Sequence, residues 1–147
     1  MTHRIARGSL NNLKEIAFIF DQYRIFYGAQ SDLNNSEDFI KARFDNEDAI
    51  IFIAFTENDG IIGFTQLYPT FSSVSMKKVW ILNDLFVMPT MRKSGIGRSL
   101  IEYAINYAKA DGAIRVSLST ARDNPAQYLY EKIGFTESSF KFYNFAL

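Results

Sequence analysis

A chain of 147 residues, 48% of them hydrophobic, with 16 basic against 16 acidic side chains, is long enough for one domain with a real core. It is too balanced in charge to hold nucleic acid by counterion release. It has no cysteine and one histidine, which excludes a disulfide framework, a thiolate nucleophile and a cysteine zinc site. His3, near the start, cannot by itself build a metal site or a Ser-His-Asp relay.

In chain order, residues 2–7 alternate weakly and predict a short first strand. Leu10, Leu13, Ile16, Ala17 and Phe20 fall at helical spacing, so an amphipathic helix is expected from Asn11 to about Tyr27, stopped by Gly28. A second helix is expected to start at Ser36, where Glu37 and Asp38 suit the first turn and Phe39, Ile40 and Phe44 give the buried stripe. The period then changes. Ala49 to Phe55 and Ile61 to Leu67 are dense apolar runs joined by Glu57-Asn-Asp-Gly60, which predicts a hairpin. Gly63 inside its second strand marks a bulge or a close approach of backbones.

Residues 72–78 are polar and read as a loop. Val79 to Val87 is apolar on both faces and reads as a strand in the sheet interior, closed by Pro89, which cannot donate to a ladder. Leu100, Ile101, Ala104, Ile105 and Ala108 form the buried face of a helix ending at Gly112. Ile114 to Thr120 alternates as a strand. Ala126 to Ile133 predicts a short helix closed by Gly134, and Phe135 to Ala146 predicts one or two last strands. No apolar run approaches the roughly 20 residues that span a bilayer, and the N-terminal stretch lacks the apolar core of a signal peptide. A soluble cytoplasmic protein of one domain, residues 1–147, with no membrane partner is expected.

The most informative junction is Val87-Met-Pro-Thr-Met-Arg92-Lys93-Ser94-Gly95-Ile96-Gly97-Arg98, which runs from a strand through a glycine turn into a helix. Gly95 and Gly97 let the backbone turn sharply, so that successive N–H groups point at one spot where the helix dipole is positive. Such a place suits an anion, above all a phosphate, and Arg92, Lys93 and Arg98 add positive charge around it. The spacing is neither a dinucleotide fingerprint, which needs a third glycine where Leu100 stands, nor a nucleotide-triphosphate loop.

Arg92-x-x-Gly95-x-Gly97 after a strand ending in Val-x-Pro resembles the pyrophosphate loop of the GCN5-related N-acetyltransferases. The downstream segment Asn124-Pro-Ala126-Gln-Tyr-Leu129-Tyr130-Glu-Lys-Ile-Gly134-Phe135 resembles a second motif of that family. Together they cover Val79 to Phe135. The resemblance implies an α/β fold, with a mixed, mostly antiparallel sheet flanked by helices and a central strand splayed from its neighbour to admit acetyl-CoA. It implies direct acetyl transfer to an amine of a small molecule or a protein, with no metal, and the absence of cysteine agrees with a reaction that forms no acyl-enzyme.

By the same resemblance, residues Arg92, Lys93, Ser94, Gly95, Ile96, Gly97 and Arg98 bind the pyrophosphate. Backbone groups of Leu85, Phe86 and Val87 pair with the pantetheine as an added strand would, and an N–H there faces the thioester oxygen. Tyr130 is the acid for the departing thiolate, and Asn124 meets the pantetheine, although the family spacing falls on Asp123. Asn83 stands where a polyamine acetyltransferase carries a glutamate base. Asp84 is the nearest carboxylate, but regular alternation turns it to the opposite face from Asn83 unless the strand is bulged. Asp84, or a water beside Asn83, is the proton acceptor. The aromatics Tyr23, Phe26, Tyr27 and Tyr68 are candidates for the acceptor pocket. A non-catalytic acyl-CoA-binding module and a thioesterase are the rival readings. The aromatic segment Phe140 to Phe145 could pair across a homodimer.

Overall fold

The computed structural model describes residues 2–147. Its elements are β1 (Arg4–Arg7), α1 (Leu13–Phe26), α2 (Leu33–Asn46), β2 (Ile50–Thr56), β3 (Gly60–Ser72), β4 (Lys77–Val87), α3 (Ile96–Ala110), β5 (Val116–Ser117) and α4 (Ala126–Ile133). The sheet order is β1-β2-β3-β4-β5. The first four strands pair antiparallel and β5 lies parallel to β4. This is the mixed, mostly antiparallel sheet expected.

Alternation along the strands divides the core in two. Ile51, Ile53, Phe64 and Phe86 face Ile16, Ile19 and Phe20 of α1 and Ile40 of α2. Ile50, Phe52, Leu67, Trp80 and Leu82 face Leu100, Ile101 and Ala104 of α3, where Tyr130 of α4 also packs. No helix among the described residues is long and apolar enough to cross a membrane.

Several boundaries differ from expectation. The first helix opens with a 3-10 turn at Leu10–Asn12 before α1 begins at Leu13. Helix α2 begins three residues before Ser36, because the Asp32 carboxylate accepts from the Asn35 N–H at 3.2 Å and caps it. Ser36 instead lies buried inside the helix and donates to Asp21 Oδ1 at 3.0 Å. The β3–β4 hairpin extends through most of the segment read as a loop, since β3 runs to Ser72 and β4 starts at Lys77. At Gly63 both readings hold: a register shift lies beside it, and a Cβ there would come within 3.1 Å of the Phe86 carbonyl oxygen.

The largest correction concerns the C-terminus. Strand β5 is two residues rather than seven, and residues 135–147 contain no strand. A strand exists only when its N–H and C=O groups meet a neighbour. The last segment stands away from the sheet, with Phe140 88% and Phe145 90% exposed.

Candidate active site

The site begins with an irregularity in β4. Leu67 opposes Leu82 and Gln66 opposes Asp84, so Asn83 is an extra residue and the strand is bulged there. In a regular strand Leu82, Asp84 and Phe86 would share one face. With the bulge, Leu82 packs toward α3 while Phe86 packs toward α1, and Asp84 turns with Phe86 to the α1 face. Asp84 is 4% exposed. Its Oδ2 accepts from Gln66 Nε2 at 2.5 Å and its Oδ1 from Asn83 Nδ2 at 3.0 Å. The phenol of Tyr23, from α1, lies close to this carboxylate; burial first, then the Asp84 charge, raises that phenol above its ordinary range.

The pairing of β4 with β5 ends just before the bulge. The two strands pair only at Trp80 and Ile81, which leaves the edge of residues 82–87 facing β5 without a strand partner. A gap of backbone donors and acceptors therefore opens beside Asp84. Helix α4 follows β5 in the chain and packs on the α3-side core. Its Tyr130 is buried, packs edge-on against Phe135 at 5.9 Å, and is pushed up to about 12 by burial and then by nearby Tyr27. Asn124 stands just before this helix, its Oδ1 accepting from the Ala126 N–H at 2.9 Å, which leaves its amide N–H groups as donors. Asp123 is exposed.

At the end of β4 the chain turns into α3 through two left-handed residues, Lys93 at φ 65° and Gly95 at φ 83°. Left-handed residues alternating with ordinary ones gather N–H groups into a concave set. Gly95 is the cap residue of α3 and supplies no side-chain acceptor, so the first-turn donors of a 15-residue helix await an outside partner. That orphaned set is what a pyrophosphate needs, and the loop fits one. The three cations differ in placement. Lys93 is exposed. Arg98 pairs with Glu102 at 2.6 Å, and Arg92 turns back to donate to the Val87 carbonyl at 2.9 Å, over the rings of Phe26 and Phe86. Ser94 donates to the Met91 carbonyl and Ile96 is buried. Gly97 faces inward: a Cβ there would lie 3.6 Å from Leu129 and 3.9 Å from Val87.

The acceptor candidates are gathered over Asp84. Tyr23 and Tyr27 have ring centroids 5.0 Å apart, and Phe26 lies 6.1 Å from Phe86. Phe26 and Tyr27 are more than half exposed at the end of α1. Tyr68 is pushed up to about 12 by burial and then by the Asp84 charge.

Gln66, absent from the sequence reading, is 0% exposed, and its Oε1 has no hydrogen-bond partner. The signal was present: Thr65-Gln66 is a polar pair inside an otherwise apolar strand. Thr65 donates to the Asp84 backbone carbonyl at 2.8 Å. No group of acidic, histidine or cysteine side chains among the described residues could hold a metal ion.

Comparison with known proteins agrees with this architecture. Residues 12–135 match the acetyltransferase (GNAT) family. An uncharacterised N-acetyltransferase of Bacillus subtilis, YhfO, is 48% identical over 136 residues, covering 92% of this chain and 91% of its own. A probable acetyltransferase of Haemophilus influenzae is 29% identical over 84% of each chain. The crystal structure of a probable acetyltransferase, 38% identical, superposes over 98% of this chain and 97% of its own at a TM-score of 0.93. The fold, the unpaired stretch of β4 beyond Ile81 and the uncapped glycine turn thus stand in a chain that belongs to the GCN5-related N-acetyltransferase family.

Proposed function

We propose that this acetyltransferase binds acetyl-CoA along the open edge of β4 and passes its acetyl group directly to an amine held under the end of α1. The observation that carries this reading is the convergence at β4: an unpaired backbone edge at residues 82–87, an uncapped helix start after it, and a buried carboxylate on the adjoining face. Acetyl-CoA supplies the acetyl group as an activated thioester. The α3 turn and its cations hold the pyrophosphate. Leu85 to Val87 hold the pantetheine and offer an N–H to the thioester oxygen, where charge gathers as the amine attacks.

Asp84 takes the proton the amine nitrogen gives up, directly or through a water beside Asn83. Gln66 and Asn83 fix the carboxylate's orientation. Tyr130 donates its proton to the sulfur as the carbon–sulfur bond breaks, then recovers it from solvent. Asn124 steadies the pantetheine amide. Tyr23, Phe26, Tyr27 and Tyr68 form the acceptor's walls.

Release of free CoA thiol from acetyl-CoA tests this directly, measured alone and with small amines, amino acids, aminoglycosides and peptides bearing free N-termini or lysines. Amine-dependent release is expected. Release without amine points to a thioesterase, and acetyl-CoA binding without release under any condition points to a binding module.

A further inference from the structure

Helix α1 carries a second buried carboxylate, Asp21, which the proposed reaction does not use. It is 1% exposed, and four donors surround it. Ser31 Oγ donates to Oδ2 at 2.6 Å, while the Asp32 N–H, Ser36 Oγ and Arg24 Nη1 donate to Oδ1 at 2.8, 3.0 and 3.4 Å. A carboxylate has about four lone-pair sites, so its acceptor capacity is filled, which is the condition for keeping such a charge out of water. Burial alone would raise its pKa, but the bonds from Ser31, Asp32 and Ser36 and the Arg24 charge outweigh it and hold the carboxyl below its ordinary value.

The donors show what the charge holds. Ser31 and Asp32 belong to the connection between α1, which ends at Phe26, and α2, which starts at Leu33. No residue of that connection, 27–32, is buried, so apolar packing does not fix it. Polar contacts do. The Ala29 N–H donates to the Arg24 carbonyl and Arg24 Nη1 to the Gln30 carbonyl, both at 3.0 Å, and the Asp21 carboxylate holds the next two residues. The connection leaves α1 at Phe26 and Tyr27, each more than half exposed. Tyr23, two residues from Asp21, has its ring centroid 5.0 Å from that of Tyr27 and its phenol close to Asp84.

We propose that Asp21 is a positioning residue for the acceptor amine: by pinning the α1–α2 connection it keeps Tyr23, Phe26 and Tyr27 in place over Asp84 before the amine arrives. This role rests on the reading of the α1 end as the acceptor site. An unpinned connection has to be ordered at the moment of binding, at a cost in conformational entropy that a preformed one avoids. That cost falls on the amine, because the hydrogen bonds of Asp21 run to α1, the connection and α2 and not to β4. Losing the pin therefore raises KM for the amine and leaves kcat and the dissociation constant of acetyl-CoA near their wild-type values.

Steady-state kinetics of the full chain test this, with acetyl-CoA saturating and the fastest amine of the panel above varied. Asp21→Asn keeps the shape and loses the charge. It should raise the amine KM by roughly tenfold or more, the loss expected when hydrogen bonds to a charged group are weakened, while kcat stays near that of the wild type. Two serine positions separate positioning from packing, and they carry the test should Asp21→Asn fail to fold. Ser31→Ala cuts a bond to the connection and should raise the amine KM, with Ser31→Thr, which keeps the hydroxyl, restoring it. Ser36→Ala cuts the bond to α2 and should lower the melting temperature without raising KM. Hydrogen exchange at the amides of residues 28–32 should be faster in Asp21→Asn and Ser31→Ala than in the wild type. A wild-type amine KM or unchanged exchange in those two variants overturns the role of Asp21, as do equal rises in KM for Ser31→Ala and Ser36→Ala. If the wild type shows no amine-dependent release at all, the acceptor-site reading itself is overturned, and this role with it.

Discussion

Asp84 has a hydrogen-bond donor on each carboxylate oxygen and almost no contact with water, an arrangement that fixes its orientation in the sheet. Replacement by asparagine keeps the shape and removes the ability to take a proton. If Asp84 is the acceptor, Asp84→Asn lowers turnover at neutral pH by about 10² to 10⁴, the usual range for a general base, with the dissociation constant of acetyl-CoA unchanged. The gap should narrow as pH approaches the amine's own pKa, where the amine loses its proton to solvent unaided. Gln66→Leu tests the support for that carboxylate. It removes one hydrogen bond to a charged group, worth about 1.5–3 kcal/mol, so turnover should fall by roughly ten- to a hundredfold. An Asp84→Asn enzyme with wild-type turnover throughout would assign the proton to solvent. Gln66 escaped the sequence reading because a single polar residue in an apolar strand does not say which way it points or what it meets. Its role is visible only once Gln66 and Asp84 are known to be cross-strand neighbours.

At the scale of elements, periodicity located every helix and the first four strands, because a helix or strand with one buried face writes its period into the sequence. What it missed depends on partners. The bulge at Asn83 left no local mark, since it is defined by the register against β3, yet it turns Asp84 toward α1. Ser36 looked like a helix cap, but Asp32 caps the helix and Ser36 serves the buried Asp21. The glycine turn was legible as an anion site. The structure adds a packing reason for Gly97: the space beside it is filled by Leu129 of α4 and Val87 of β4. Gly97→Ala therefore fits at ordinary contact distance and should leave the melting temperature near that of the wild type. Gly97→Val forces branched methyl groups between α3, α4 and β4, a crowding that costs about 1–3 kcal/mol. Denaturant titration measures it. Equal stability of the two variants would mean that α4 moves freely relative to α3, and that Tyr130 is not held by this packing.

For the molecule as a whole, three of the eight tyrosines, Tyr23, Tyr68 and Tyr130, keep their protons more firmly than a free phenol does. Burial is the first cause for each, followed by the charge of Asp84 at Tyr23 and Tyr68 and by Tyr27 at Tyr130. An unfolded tyrosine titrates near pH 10, whereas Tyr68 and Tyr130 in the folded chain are pushed up to about 12. The unfolded chain therefore gives up these protons first, and the linkage has a definite sign. The stability that comes from keeping the phenols neutral is fully present below about pH 10 and is lost as pH rises through about 12. Thermal melts between pH 8 and pH 12 should show this fall, and in Tyr130→Phe the fall should be shallower. In the proposed reaction the same proton has a catalytic use. A phenol that stays protonated across the neutral range is always ready to meet a thiolate, so Tyr130→Phe should lower turnover well beyond its effect on acetyl-CoA affinity. Tyrosinate absorbance supplies the independent check, because part of it should emerge only above about pH 11 while the chain is still folded. If all eight phenols ionise together near pH 10 in the folded protein, these rings are open to water, and Tyr130 neither stabilises the fold in this way nor holds a proton in reserve for the sulfur.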